Sequence, residues 1–367
     1  MSSSTSLLFH PIAVGDMPLK HRIVMAPLTR LRNDVAFAPG PLNLEYYQQR
    51  SSTPGTLIIA EGTCVAHQAT GLNGSPGIWS EKQIAAWKTI TDAVHAHGSY
   101  VFVQLFAFGA AAIPSVIKKD GYPYVSASDV QIEDRTEAPR PMTIPEIQEY
   151  IQLFTTAAAN AVKAGFDGVE VHGANGYLLD QFIQTNTNRR TDQYGGSVEN
   201  RIRFPLEVLD AVVKAIGVKK VGFRISPWGR FQSMRMPDDD LKSTFSELVT
   251  RIRDLYPDLA YLHVIQPGID GGSDRAVVVG SIESDLFLRE IWGDRAYIAA
   301  GGFRRESAMK WADDTGGLVA FGRSFIANPD LPVRLKGGIP LNAHNRSTFY
   351  TQGSIGYTDY PFAQVAT

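Results

Sequence analysis

Apolar residues along this chain gather in short, nearly unbroken runs, separated by longer stretches where they recur every three or four positions. The runs fall at residues 22–27, 57–62, 100–105, 168–172, 221–226, 259–265, 297–302 and 317–323. Runs of this length without polar alternation suit strands buried on both faces, as in a parallel sheet. The stretches between them carry helical spacing over 80–97, 143–164, 199–216, 238–256 and 304–314; in the first, Ile84, Trp87, Ile90, Ala93 and Val94 share one face. Thr143-Ile144-Pro145-Glu146 is a capping box with proline close to the helix start. Strand and helix alternate, which predicts an α/β protein, and eight strands select a single (β/α)8 TIM barrel. No linker or composition shift divides the chain, so one barrel domain over 1–367 is expected. The segment 106–137, rich in Ala, Pro and Gly, is the longest insertion; this extended loop after strand 3 is expected to form a lid or pocket wall.

Composition narrows the classes. With 44% hydrophobic residues and a formal charge of −2, the chain can bury an ample core and shows no basic stripe for nucleic acid. The one cysteine, Cys64, excludes an internal disulfide and any multi-cysteine metal site; it sits past an apolar strand and is expected to pack. The apolar runs are too short to span a bilayer, and the N-terminal residues lack the charged start of a secretory signal, so a cytoplasmic protein is expected. Sequons at Asn73 and Asn345 should then stay unmodified. Monomer and homodimer are both open.

Barrel enzymes place their chemistry at the C-terminal ends of the strands. Read in order, those ends offer Thr29, Gly62, Gln104, His172 with Asn175, Arg224, Gly301-Gly302 and Gly322-Arg323. Without a lysine there is no Schiff-base nucleophile, and without a His-x-His or a carboxylate cluster no catalytic metal is expected. No acid pair suits glycoside hydrolysis. Amides, hydroxyls, glycines and isolated cations suit an uncharged planar ligand bearing a phosphate. The glycine-rich ends of strands 7 and 8 supply the phosphate site, since the second opens a short helix beside Arg323. The richest stretch is 170–182, where a buried strand turns through two glycines into a helix and presents His172, Asn175 and Tyr177.

These residues resemble the Old Yellow Enzyme family of FMN-dependent ene-reductases. The likeness runs through 21–30, 61–63, 76–80, 103–105, 172–182, 190–201, 223–227, 321–323 and 328–331. It implies a non-covalent FMN across the barrel top, held by Pro27, Thr29, Gly62, Gln104 and Arg224, with Gly301, Gly302, Gly322 and Arg323 on the phosphate. It implies NADPH as hydride donor, NADH not being excluded because these enzymes lack a dinucleotide fingerprint. The substrate would be an activated alkene, an α,β-unsaturated carbonyl compound or nitroalkene. His172 and Asn175 would hold the carbonyl oxygen, in the pairing of the yeast and plant type, and Tyr177 would protonate the α-carbon.

Phe106 stands where many relatives have Trp, Gly302 replaces a frequent Asn, and Trp228 a frequent Tyr. Phe106, Phe231 and Tyr350 are expected to line the substrate pocket. Two other readings compete: a specialised biosynthetic reductase or isomerase of one secondary-metabolite enal on the same scaffold, and a flavin-storing or redox-sensing protein without turnover. Tyr177 favours reduction over isomerisation, and binding alone would need neither His172 nor Asn175.

Overall fold

The computed structural model describes residues 5–276 and 283–364. Eight parallel strands close into one barrel: β1 (Ile23–Met25), β2 (Leu57–Cys64), β3 (Tyr100–Phe106), β4 (Gly168–Gly173), β5 (Val221–Ile225), β6 (Tyr261–Ile265), β7 (Tyr297–Ala300) and β8 (Leu318–Phe321). Each pairs with its sequence neighbour, and β8 returns to β1 through Ala320 opposite Val24. All eight lie on the apolar runs, so the expected barrel stands. The helices α2 (Glu81–Ala96), α3 (Ile144–Lys163), α4 (Val198–Ile216), α5 (Asp238–Leu255) and α7 (Arg305–Thr315) match the periodic stretches. At the start of α3, Thr143 Oγ1 accepts from the Glu146 N–H while the Glu146 carboxylate accepts from the Thr143 N–H, as the capping box requires.

Among the described residues, four α-helices escaped the reading: α1 (Pro41–Arg50), α6 (Leu286–Trp292), α8 (Leu331–Gly337) and the short Pro114–Lys119. The buried face of α1 is Asn43, Tyr46, Tyr47 and Arg50, a side built of amphipathic residues that an apolar count does not register. Arg50 instead donates to the main-chain oxygens of Phe325, Ile326 and Tyr357. The hairpin of Ile12–Val14 and Met17–Leu19 was also unread. Its Val14, Met17 and Leu19 pack with Leu57, Phe102, Ala260 and Tyr261, closing the barrel floor.

The barrel interior is two unlike halves. Val24, Ala26, Leu57, Ile59, Ile298, Ala300, Leu318 and Ala320, from β1, β2, β7 and β8, form an apolar side. Strands β3 to β6 instead turn Gln104, Glu170, His172, Arg224 and His263 inward, all buried. Room for the large groups comes from glycine. A Cβ on Gly222 would sit 2.3 Å from the Tyr261 ring, closer than atoms approach without a shift. A ligand across the top therefore meets a polar floor over β3–β6 and an apolar one elsewhere.

The segment after β3 is a folded wall. It holds a short helix, Pro114–Lys119, and its Phe106, Phe108, Ala110, Ala111, Ile117, Tyr124 and Ile132 form a buried cluster around Cys64. Cys64 is the last residue of β2 rather than a residue past it, and burial pushes its thiol up, out of nucleophilic range. Tyr124 Oη donates to the Ala110 carbonyl within the wall, and Ser126 Oγ donates to Gln181 Oε1 of the helix Leu178–Ile183, tying the wall to the segment after β4. On the opposite side, Arg30 and Arg32 donate to the carbonyls of Phe349, Gly353 and Gly356. Those contacts hold the C-terminal strap that carries Tyr350.

Candidate active site

The β4 end is shaped by one left-handed residue. Asn175 has φ +57°, a conformation asparagine tolerates better than most residues. Its N–H donates to Ser226 Oγ at 2.7 Å and its carbonyl accepts from Gln232 Nε2 at 2.9 Å. The Gly176 N–H donates to Asp180 Oδ2 at 2.9 Å, and Tyr177 then caps the helix Leu178–Ile183. This turn carries Tyr177 back toward His172, their ring centres 5.3 Å apart. Phe106 and Phe108 meet the Tyr177 ring edge-to-face at 4.8 and 5.6 Å.

Burial decides the protonation of both groups. His172 is 2% exposed, and burial, helped by Arg224 and His263, holds its imidazole well below the usual histidine range, hence neutral. Its Nδ1 has no partner among the described residues. Burial pushes the Tyr177 phenol up to about 12, so it keeps its proton at neutral pH. A neutral imidazole offers one N–H; a protonated phenol can give one proton.

Arg224 sits opposite His172 across β4 and β5 and is likewise buried, with its Nε unpartnered. A buried cation is costly without an anionic partner. Within the protein the Glu170 carboxylate, one layer lower, already supports it. Glu170 accepts from Gln104 Nε2 at 2.7 Å and pairs with His263 Nδ1 at 2.8 Å. Neither Glu170 nor His263 appeared among the strand-end candidates, because both lie below the rim. A charged residue inside an otherwise apolar run was the available signal.

Above this floor lies a cavity of about 340 Å³. Pro27, Asn175, Arg224, Gly301, Gly302, Gly322 and Arg323 all line it, as do Arg304, His344 and Asp274, which the sequence did not single out. Gly301 and Gly302 have φ of +143° and +71°, open to glycine alone or nearly so, and Gly322 caps the helix Arg323–Ala327. A glycine-rich, cationic end beside an apolar wall, with the buried Arg224 and its unpartnered Nε in the lining, fits an elongated planar ligand ending in phosphate, as FMN does. Arg323 is not free, however. Its Nη1 donates to Asp274 Oδ2 at 2.8 Å and its Nη2 to Asp274 Oδ1.

Thr29, Gly62, Gln104, Phe106, His172, Tyr177, Phe231 and Tyr350 are not among the residues lining this cavity. A Cβ on Gly62 would lie 3.1 Å from the Phe106 ring and 3.3 Å from Gln104 Oε1, so these three form one patch beside His172. Thr29, just past β1, is half-buried. Phe231 and Tyr350 are 43% and 59% exposed, Phe231 over Gly271 and Tyr350 near Gly272, which places them at the rim and not in the depth. No described helix is long and apolar enough to cross a membrane.

Known proteins share this arrangement over nearly the whole chain. The NADP-dependent oxidoreductase lnbE of Aspergillus flavus is 46% identical over 371 residues, covering 98% of this chain and 97% of its own. The chanoclavine-I aldehyde reductase fgaOx3 of Penicillium roqueforti is 46% identical over 362 residues, covering 97% and 96%. The crystal structure of Old Yellow Enzyme from a Pichia species superposes with a TM-score of 0.88 at 35% identity, covering 99% of this chain and 95% of that one. Residues 7–342 match the model of the NADH:flavin oxidoreductase / NADH oxidase family. The eight-stranded barrel with its polar half-floor and glycine-lined cavity is thus a flavin scaffold: the chain belongs to that family and is an oxidoreductase of the Old Yellow Enzyme type.

Proposed function

We propose that this protein reduces the activated C=C bond of α,β-unsaturated aldehydes and ketones, and of nitroalkenes, with NADPH as the source of hydride. The chain 1–367 acts as one barrel domain. Pro27, Thr29, Gly62, Gln104 and Arg224 would hold the FMN ring, while Gly301, Gly302, Gly322 and Arg323 would hold its phosphate. FMN, when bound there, would supply the hydride-transfer chemistry between NADPH and the β-carbon of the alkene.

The protein's own groups do the rest. Negative charge builds on the carbonyl oxygen as the β-carbon receives hydride, and preplaced donors stabilise that charge. The His172 N–H and the Asn175 amide are those donors. Tyr177 gives its proton to the α-carbon as general acid. Phe106 bounds the substrate on the β3 side, and Phe231 and Tyr350 bound it at the rim. The observation that carries this reading is a neutral His172 with an open ring nitrogen beside a protonated Tyr177.

Isotope tracing tests it. With NADPH deuterated at the transferable position, 2-cyclohexenone should yield ketone labelled at the β-carbon; in D2O with ordinary NADPH the label should enter at the α-carbon. Label in the wrong position, or a saturated product from neither experiment, contradicts the assignment. A narrower reading, one biosynthetic enal as dedicated substrate, draws support from the likeness to the chanoclavine-I aldehyde reductase. An enal preferred over simple enones by kcat/KM would favour it.

A further inference from the structure

Beneath the cavity, the inner faces of β3 to β6 carry a belt of charged and polar groups locked in register. Gln104 is the Cα partner of Glu170, His172 of Arg224, and Arg224 of His263. Glu170 lies at the centre, fully buried, and its two oxygens are divided. Oε1 accepts from Gln104 Nε2 at 2.7 Å, and Oε2 meets His263 Nδ1 at 2.8 Å. An ionised carboxylate only accepts hydrogen bonds, so the Gln104 atom facing it is the amide nitrogen. The Gln104 carbonyl oxygen is thereby turned away, toward the end of β2, where it lies 3.3 Å from the Cβ position of Gly62. Without a fixed carboxylate below, a glutamine amide can turn over and exchange its donor for its acceptor.

Glu170 also opposes the charge of Arg224. Each holds the other toward its ionised form, although burial works against both. The guanidinium presents to the cavity a charge partly compensated from beneath. A bare buried cation would favour any electron-rich ligand ring more strongly.

We propose that Glu170 is a positioning residue for the cofactor: it clamps the Gln104 amide so that the carbonyl oxygen serves as acceptor for a ring N–H, and it moderates the pull of Arg224 on the ring's electrons. The inference rests on the FMN reading of the site. His263, whose Nδ1 meets the second oxygen, holds the clamp in place.

The test uses the FMN-loaded enzyme and the isosteric variant Glu170→Gln. Removing the negative charge should shift the FMN midpoint potential in the positive direction, since the reduced, electron-rich ring is then less repelled. Loss of a fixed amide orientation should also raise the FMN dissociation constant by roughly tenfold, the size of one well-placed hydrogen bond. A merely structural carboxylate would not move the potential. An unchanged potential in a folded, FMN-loaded Glu170→Gln protein overturns the proposal. Should that variant not fold, Gln104→Met reads the clamp from its other end. FMN binding weakened by a similar factor supports the proposal, and wild-type affinity overturns it. A wild-type protein that takes up no FMN overturns the proposed function itself, a different failure from an unmoved potential.

Discussion

His172 and Arg224 are Cα partners across β4 and β5, and each keeps one buried nitrogen, Nδ1 and Nε, without a partner among the described residues. An unsatisfied buried donor costs about 1–3 kcal/mol. Two side by side at a barrel mouth are a site shaped for a ligand more than a source of stability. The relationship predicts that cofactor and fold are linked. Stripping FMN should lower the melting temperature, and adding it back at about a hundredfold its dissociation constant should restore about 2.7 kcal/mol. Differential scanning calorimetry of apo- and FMN-loaded protein checks this; identical melting curves would count against a cofactor at Arg224.

His172→Ala and Asn175→Ala should each weaken enone reduction by about 3 kcal/mol of transition-state stabilisation, the scale of one oxyanion-hole donor. Phenol binding should weaken in parallel, while FMN uptake stays intact because neither side chain is assigned to the cofactor. Because His172 is held neutral well below the usual histidine range, lowering the pH from 8 to 6 should leave phenol affinity unchanged on its account. Titration by difference absorbance across that range is the check, and a histidine-like loss of affinity near pH 6.5 would contradict the neutral imidazole.

Tyr177→Phe should spare flavin reduction by NADPH and slow reoxidation by cyclohexenone by roughly 10²-fold or more, the effect of losing a positioned acid. Nitroalkenes should suffer less, because the nitronate they form can take its proton from water. With the phenol pushed up to about 12, the acid stays protonated as pH rises, so the wild-type oxidative half-reaction should remain flat up to about pH 10. Stopped-flow half-reactions decide the matter. Equal losses for both substrate classes would remove Tyr177 from the proton-donor role.

The Phe106 ring centre lies 4.8 Å from that of Tyr177 and 6.2 Å from that of His172, so its size bears on the space beside both. Phe106→Trp should narrow the pocket and reduce turnover of cyclohexenones bulky near the alkene, with smaller change for the parent compound. Unchanged rates and facial selectivity across such a series would show that Phe106 only packs.

Thr29→Ala should slow flavin reduction by NADPH, since a hydrogen bond favouring the electron-rich ring is lost. An effect confined to the enone half-reaction would show that Thr29 has another partner.

The barrel was legible because its strands are buried on both faces and therefore read as unbroken apolar runs. The β4 end was legible because His172, Asn175 and Tyr177 follow such a run directly. Less visible was α1, whose inward face of Asn43, Tyr46, Tyr47 and Arg50 is held by Arg50 hydrogen bonds to main-chain oxygens and by the stacking of Tyr46 on Tyr357. Glu170 and His263 were unread for a related reason. Within a strand each looks like a polar interruption, and only the closed barrel brings them to 2.8 Å. The ion pair of Arg323 with Asp274 joins positions 49 residues apart, and strand-end reasoning had no means of linking them.

Anaerobic cycling of the purified protein follows both half-reactions in one sample. The protein should be yellow and release FMN, stoichiometric with the chain, on denaturation. Its colour should bleach on adding NADPH and return on adding 2-cyclohexenone, with saturated ketone formed in equal amount. A colourless protein that cannot be reconstituted with FMN, or a bleached flavin that the enone does not reoxidise, would contradict the proposed function.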